Sequence, residues 1–187
     1  MEALKLLFAF SPWLAFWIIS SGGTMTWLKV AVIVSSVMVA AMGVARLHRG
    51  LVLWVGVAFF AFCLAGVVWL ENMWVVRHMG VIASGTLFAS TFIAMLSGRP
   101  FTRDYAREHV PPELWESKGF ERACYVTTGA WCAVFFLNTS LNAVKLFLPH
   151  AGEWLFRGLE LGCLLAGVWF TTWYAARSRR RREAVAG

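Results

Sequence analysis

Six apolar runs divide this chain, and five of them are long enough to cross a bilayer. The runs span residues 27–45, 51–70, 75–96, 120–148 and 154–176, and each reaches about 18 residues or more, the length that a helix needs to cross a hydrocarbon core of ~30 Å. Only short polar clusters separate them. Charged residues make up 14% of the chain and hydrophobic ones 59%, whereas a soluble domain carries charge at roughly 25% of its positions. The pattern predicts an all-α fold: a polytopic transmembrane helix bundle with five spans, forming a single transmembrane domain over residues 1–187 with a loop at 97–119 and a basic tail at 177–187.

The remaining run, 6–20, is shorter, and Pro12 is expected to interrupt its hydrogen bonding. It reads as a re-entrant or tilted helix, and the sequence leaves open whether it crosses. Lys5 before it and Ser20, Ser21, Gly22 and Gly23 after it resemble a signal peptide, but no A-x-A cleavage site follows, so the segment is expected to be retained. Residues 21–24 make a flexible turn of small side chains.

Lysine and arginine resist translocation, so their distribution sets orientation. One side collects Lys5, Arg46, Arg49, Arg99, Arg103, Arg107, Lys118, Arg122, Arg177, Arg179, Arg180, Arg181 and Arg182; the other holds only Lys29, Arg77, Lys145 and Arg157. Thirteen against four predicts that the 46–50 turn, the 97–119 loop and the C-terminus are cytoplasmic. Clustering at segment ends also argues against a nucleic-acid partner despite the net charge of +7. The arginines of the tail, Arg177 and Arg179–182, are suited to anionic phospholipids at the cytoplasmic face. Trp27, Trp69, Trp74, Trp154, Trp173 and Tyr174 fall near segment ends, where amphipathic rings favour the headgroup layer.

The 97–119 loop and its flank balance five basic against five acidic residues. Thr102 is placed to cap a short helix running to Arg107 or Glu108, and Pro111 and Pro112 stop it. Phe101, Tyr105, Leu114 and Trp115 offer apolar side chains to the membrane surface. Arg99, Phe101, Tyr105, Pro112, Glu113 and Trp115 form a candidate contact surface, though a solvated loop laced with ion pairs accounts for the same residues.

Polar residues inside spans are costly and point to function. Asn138, Asn142 and Lys145 share one helical face of the fifth run, and Glu153, Arg157 and Glu160 share one face of the sixth. Pro149 and Gly152 lie between these helices, so an antiparallel hairpin sets the two stripes opposite each other in the outer half of the membrane. The stripes either glue two helices together, with Arg157 pairing the glutamates and Asn142 satisfying what remains, or line a polar cavity for a lipid headgroup or small ion, with Glu160 the deepest titratable group.

Gly158, Gly162 and Ala166, and Gly80 with Ser84, follow small-xxx-small spacing and predict close helix approach within the bundle or between protomers. Ser35, Ser36, Thr127, Thr128, Thr171 and Thr172 are expected to bond back to their own helices. Cys63, Cys124, Cys132 and Cys163 read as small apolar fillers. His48, His78, His109 and His150 lack metal-ligand spacing, and no catalytic, cofactor or metal motif is expected.

The order of features resembles the bacterial inner-membrane septation protein A family and its uncharacterised multi-pass relatives. The matching stretches are FAFSPWLAFW, the basic turn ARLHRG, GRPF at the start of the loop, Pro112-Glu113-x-Trp115, Trp131, Asn138 or Asn142, Leu148-Pro149 and the basic tail. The chain departs from the family in its arginine-rich tail and fuller loop charge. The resemblance implies a multi-pass protein linked to envelope integrity, division and elongation through contacts with other membrane proteins, and it supplies no catalytic residues.

Three functional classes follow. The first is a non-enzymatic inner-membrane protein supporting cell-envelope synthesis or division through membrane-protein contacts. The second is a small transporter or lipid-handling protein using the polar cluster. The third, an enzyme acting on lipid phosphate, requires Asp104, Glu108 and His109 to converge, and these lack any recognised catalytic spacing.

Overall fold

The computed structural model describes residues 10–45, 50–107, 110–148 and 152–186, with the backbone alone for residue 153 and residues 181–186. The described residues are helical throughout their regular structure, and five helices are long and apolar enough to cross a membrane. In chain order they are α1 (Ser11–Ser20), α2 (Met25–Val44), α3 (Leu51–Cys63, continued by a π-helical stretch Leu64–Trp69), α4 (Met73–Leu96), α5 (Thr102–Arg107), α6 (Lys118–Phe147) and α7 (Glu153–Ala186). The all-α, multi-span reading of the sequence is thus the architecture found.

Helix starts are set by side chains that satisfy the exposed backbone donors of the first turn. Thr24 accepts from the Trp27 amide at 3.3 Å, Asn72 from Trp74 at 2.9 Å and Val75 at 3.3 Å, and Ser117 from Phe120 at 3.2 Å. Pro12 plays a related part. It lies in the first turn of α1, where no intrahelical N–H is required, while residues 6–9 of the apolar run lie outside the described residues. The helix begins at Ser11 and runs for 10 residues, about 15 Å at 1.5 Å per residue, half of a hydrocarbon core.

At the other extreme, α7 has 34 residues and a length of about 50 Å. It carries its helical backbone through the arginine tail well beyond the apolar span.

Aromatic packing fixes α1 against its neighbours. Trp13 stacks on Phe59 at 4.7 Å and tilts against Phe60 at 5.3 Å, while Phe16 meets the edge of Phe60 at 5.8 Å. Gly56 on α3 sits in this contact, where an added Cβ would meet Val39 at 3.4 Å and the Trp13 indole at 3.5 Å, both ordinary van der Waals distances. Phe10, just before α1, stacks on Trp131 of α6 at 5.5 Å. The short helix thus starts beside the middle of α6 and runs toward the end of the bundle opposite the arginine tail. At that far end Lys29 and Glu71 form an exposed ion pair. The Lys29 ammonium, first by its hydrogen bond and then by its charge, holds the Glu71 carboxyl below its ordinary range.

The loop after α4 is tied down by a buried threonine cluster. Thr102 does not cap its own helix; its hydroxyl turns to α6, 2.9 Å from the Cys124 carbonyl, 3.0 Å from the Thr127 hydroxyl and 2.9 Å from the Thr128 hydroxyl. Phe101 is buried beside it. Trp115 donates to the Val110 carbonyl at 2.8 Å and lies under the Arg107 guanidinium at 5.0 Å. Arg99, Pro112 and Glu113 are exposed.

Backbone back-bonding holds for Ser36 to Val32 (2.7 Å), Thr127 to Ala123 (2.8 Å), Thr171 to Gly167 (2.8 Å) and Thr172 to Trp169 (2.8 Å). Ser35 departs from this expectation. It is fully buried on the packed face of α2, and its hydroxyl has no partner.

Candidate functional site

At the far end, α1, α2, α4, α6 and α7 surround a cavity of about 1120 Å³. Two polar contacts tie α1 and the turn after it to α7. The indole Nε1 of Trp17 donates to Glu160 Oε2 at 3.3 Å, and the Arg157 guanidinium donates to the Ser21 carbonyl at 3.2 Å. The walls are mixed: Phe10, Trp13, Phe16, Leu87, Trp131, Phe135, Leu164 and Val168 supply apolar surface, and Asn138, Asn142, Lys145, Arg157 and Glu160 supply polar groups.

The polar stripes named from the sequence therefore do face one space. α6 and α7 pack as antiparallel neighbours, and five of the six candidates, Asn138, Asn142, Lys145, Arg157 and Glu160, line the same cavity. The side chain of the sixth, Glu153, lies outside the described residues. The partner of Glu160 is Trp17, a residue from the short first helix, which spacing on α6 and α7 alone does not reveal. In the sequence this segment is marked by its apolar run, by Pro12 and by the aromatic-proline core FAFSPWLAFW, none of which pairs it with α7.

Two oxygens in the cavity wall stand out. Glu160 and Asn138 are each 7% exposed, and Glu160 Oε1 and Asn138 Oδ1 have no hydrogen-bond partner. Asn142 is committed elsewhere. It donates to the Asn138 carbonyl at 2.8 Å, and its amide rests on Gly80 of α4, where any Cβ would collide with it. Small-residue spacing on α4 thus marks a true close approach. On α7 the tight position is Gly167, whose added Cβ would lie 3.2 Å from Val134, while Gly158 and Gly162 face open space.

The basic residues of this end are distributed in a telling way. Of the four assigned there by sequence, Lys29 pairs with Glu71, and Arg77, Lys145 and Arg157 all line the cavity. Arg77 was counted only for topology. Its position four residues into α4 sets it near the same rim as Lys145 and Arg157.

Elsewhere, Cys63 lies 3.7 Å from the Met79 sulfur, and Cys132 3.4 Å from the Thr91 hydroxyl, both in the packed interior. Among the described residues no three or more His, Cys, Asp or Glu side chains converge as metal ligands. Glu108 and His109, two of the three residues considered for a loop active site, lie outside the described residues, as do Lys5, Arg46, His48, Arg49, Pro149 and His150 and the side chains of Arg181 and Arg182. No family model, curated protein or solved structure matches this chain.

Proposed function

We propose that this chain is a non-enzymatic, multi-pass protein of the bacterial cytoplasmic membrane that takes a lipid or similar amphiphile into its far-end cavity. The orientation rests on the thirteen-to-four asymmetry of Lys and Arg, which sets the arginine tail in the cytoplasm and the cavity toward the outer face. One observation carries the reading: two buried oxygens without partners, Glu160 Oε1 and Asn138 Oδ1, belong to residues that line a cavity of about 1120 Å³.

If these stripes only glued helices together, their polar groups would be matched. An unmatched buried polar group costs about 1–3 kcal/mol. The cavity also exceeds the roughly 300–1,000 Å³ of sites for drug-sized ligands, and its walls combine apolar surface with a few polar groups, as an amphiphile requires.

A single cysteine at position 160, in an otherwise cysteine-free background, tests this reading. A membrane-impermeant thiol reagent applied from outside is expected to label it, and added amphiphile to protect it. Silence at position 160, with a control cysteine at Gly152 labelled, would mean a sealed helix interface and defeat the proposal.

The resemblance to the septation protein A family supports a second role, in envelope synthesis or division through partner contacts. Arg99, Pro112 and Glu113 are the exposed loop residues available for it. Crosslinking recovery of membrane partners should fall for Arg99→Ala with Glu113→Ala, and unchanged recovery would count against the loop as the contact surface.

A further inference from the structure

Resting on the amphiphile-binding reading, we infer the chemistry of the occupant from the order of groups along the cavity: a single-chain amphiphile bearing an anionic headgroup, then a hydroxyl, then an acyl chain, as in a monoacyl glycerophosphate.

α4 and α7 begin at the end where α6 finishes, so helix rise converts residue number into depth. Arg77 is four residues inside α4, Arg157 four inside α7 and Lys145 two inside α6, which sets all three at about 3–6 Å from the helix ends. They form a basic rim. Glu160 and Asn138 lie seven and nine residues in, about 10–14 Å deep. Leu87 and Val168 carry the apolar wall on to about 20 Å.

Each level selects a different group. The rim carries the cations Arg77 and Lys145, beside Arg157 bonded to the Ser21 carbonyl, so it favours an anion, and arginine suits phosphate by its planar fork of donors. The lining residues of the next level, Glu160 and Asn138, carry buried acceptors, Oε1 and Oδ1, that lack donors. A carboxylate accepts and does not donate, and so does an amide oxygen, so this level calls for a hydroxyl or N–H and rejects a second anion. Beyond it, Phe10, Leu87, Trp131 and Val168 provide only apolar surface for a chain. Phosphate, free hydroxyl and acyl chain occur in this order in a monoacyl glycerophosphate. A cationic amphiphile would satisfy Glu160 but set its charge against the rim.

The test uses the full chain in phosphatidylcholine nanodiscs, with native mass spectrometry to count bound ligand. The probes are oleoyl glycerophosphate, oleyl phosphate (no hydroxyl), monooleoylglycerol (no anion), an oleyl ammonium salt, and glycerophosphate without a chain. Oleoyl glycerophosphate should bind one per chain, several-fold tighter than oleyl phosphate and at least tenfold tighter than monooleoylglycerol. Arg77→Gln with Lys145→Gln should remove most of the preference over monooleoylglycerol, and Asn138→Ala most of the preference over oleyl phosphate.

Equal or tighter binding of the neutral or cationic chain would overturn the inferred headgroup while leaving an amphiphile site in place. Displacement by glycerophosphate at similar concentration would identify a free anion as the ligand and overturn the chain. Absence of saturable binding for every chain would remove the amphiphile reading itself. Because these comparisons are made on the unaltered protein, they stand even if a variant fails to fold.

Discussion

Trp17 and Glu160 are 143 positions apart in sequence, and the indole Nε1 of the first donates to a carboxylate oxygen of the second across 3.3 Å. This bond joins a 10-residue helix to the longest described helix, between two residues that line the cavity. It leaves the other carboxylate oxygen unmatched.

Trp17→Phe keeps the ring and removes the donor, and Glu160→Leu removes the acceptor. A double-mutant cycle on reversible unfolding should give a coupling of about 0.6–1.7 kcal/mol, the range for polar contacts between membrane helices. A coupling near zero would mean that the bond does not hold α1 to α7.

Gly80→Ala should destabilise the bundle by about 1–3 kcal/mol, the usual cost of overpacking, because its Cβ would collide with the Asn142 amide. Gly162→Ala, which adds a methyl in open space, should change stability little. Adding Asn142→Ala to Gly80→Ala should recover part of the loss. Thermal unfolding in detergent distinguishes these outcomes, and equal effects of the two glycine substitutions would contradict the close approach of α4 and α6.

Thr102→Val preserves shape but deletes the hydroxyl shared with Thr127, Thr128 and the Cys124 carbonyl. The expected cost is about 1–3 kcal/mol, with faster limited proteolysis between residues 110 and 116. If proteolysis and stability are both unaltered, the threonine cluster does not anchor the loop.

The Lys29–Glu71 pair sets a pH dependence. Glu71 is depressed by its lysine, so the pair stabilises the folded protein above the unfolded carboxyl pKa, and this contribution is lost as pH falls through the lower, folded value. Carboxyl carbon NMR should show Glu71 titrating below the ordinary glutamate range, and Lys29→Met should return it to that range. The pair is exposed, so salt should weaken the shift.

The spans were legible because length and hydropathy decide them. Residues 27–45 and 75–96 read from the sequence correspond to Met25–Val44 and Met73–Leu96 in the structure, and the small offset arises because Thr24 and Asn72 cap the helices just outside the apolar run. The faces of Asn138, Asn142, Lys145, Arg157 and Glu160 were equally legible, since helical periodicity alone aligns them. Pro12 falls in the first turn of α1, where proline fits because its missing N–H has no intrahelical partner to serve. Thr102 was misread because capping is a local rule, while its partners lie 22 to 26 residues away. The part of Trp17 depends on a contact that no local rule encodes.

The π-helical stretch Leu64–Trp69 makes α3 one residue longer than a regular helix spanning the same distance would be, as single-turn π segments do. Its wide turn is closed by the Leu70 amide on Ala65 at 3.0 Å and the Asn72 amide on Gly66 at 2.8 Å. Deleting one residue there would let the stretch revert to the α form over the same distance, so Glu71 would stay beside Lys29 and Asn72 would still begin α4. In a protein family this stretch would be the place where the chain can gain or lose one residue without turning the helices on either side.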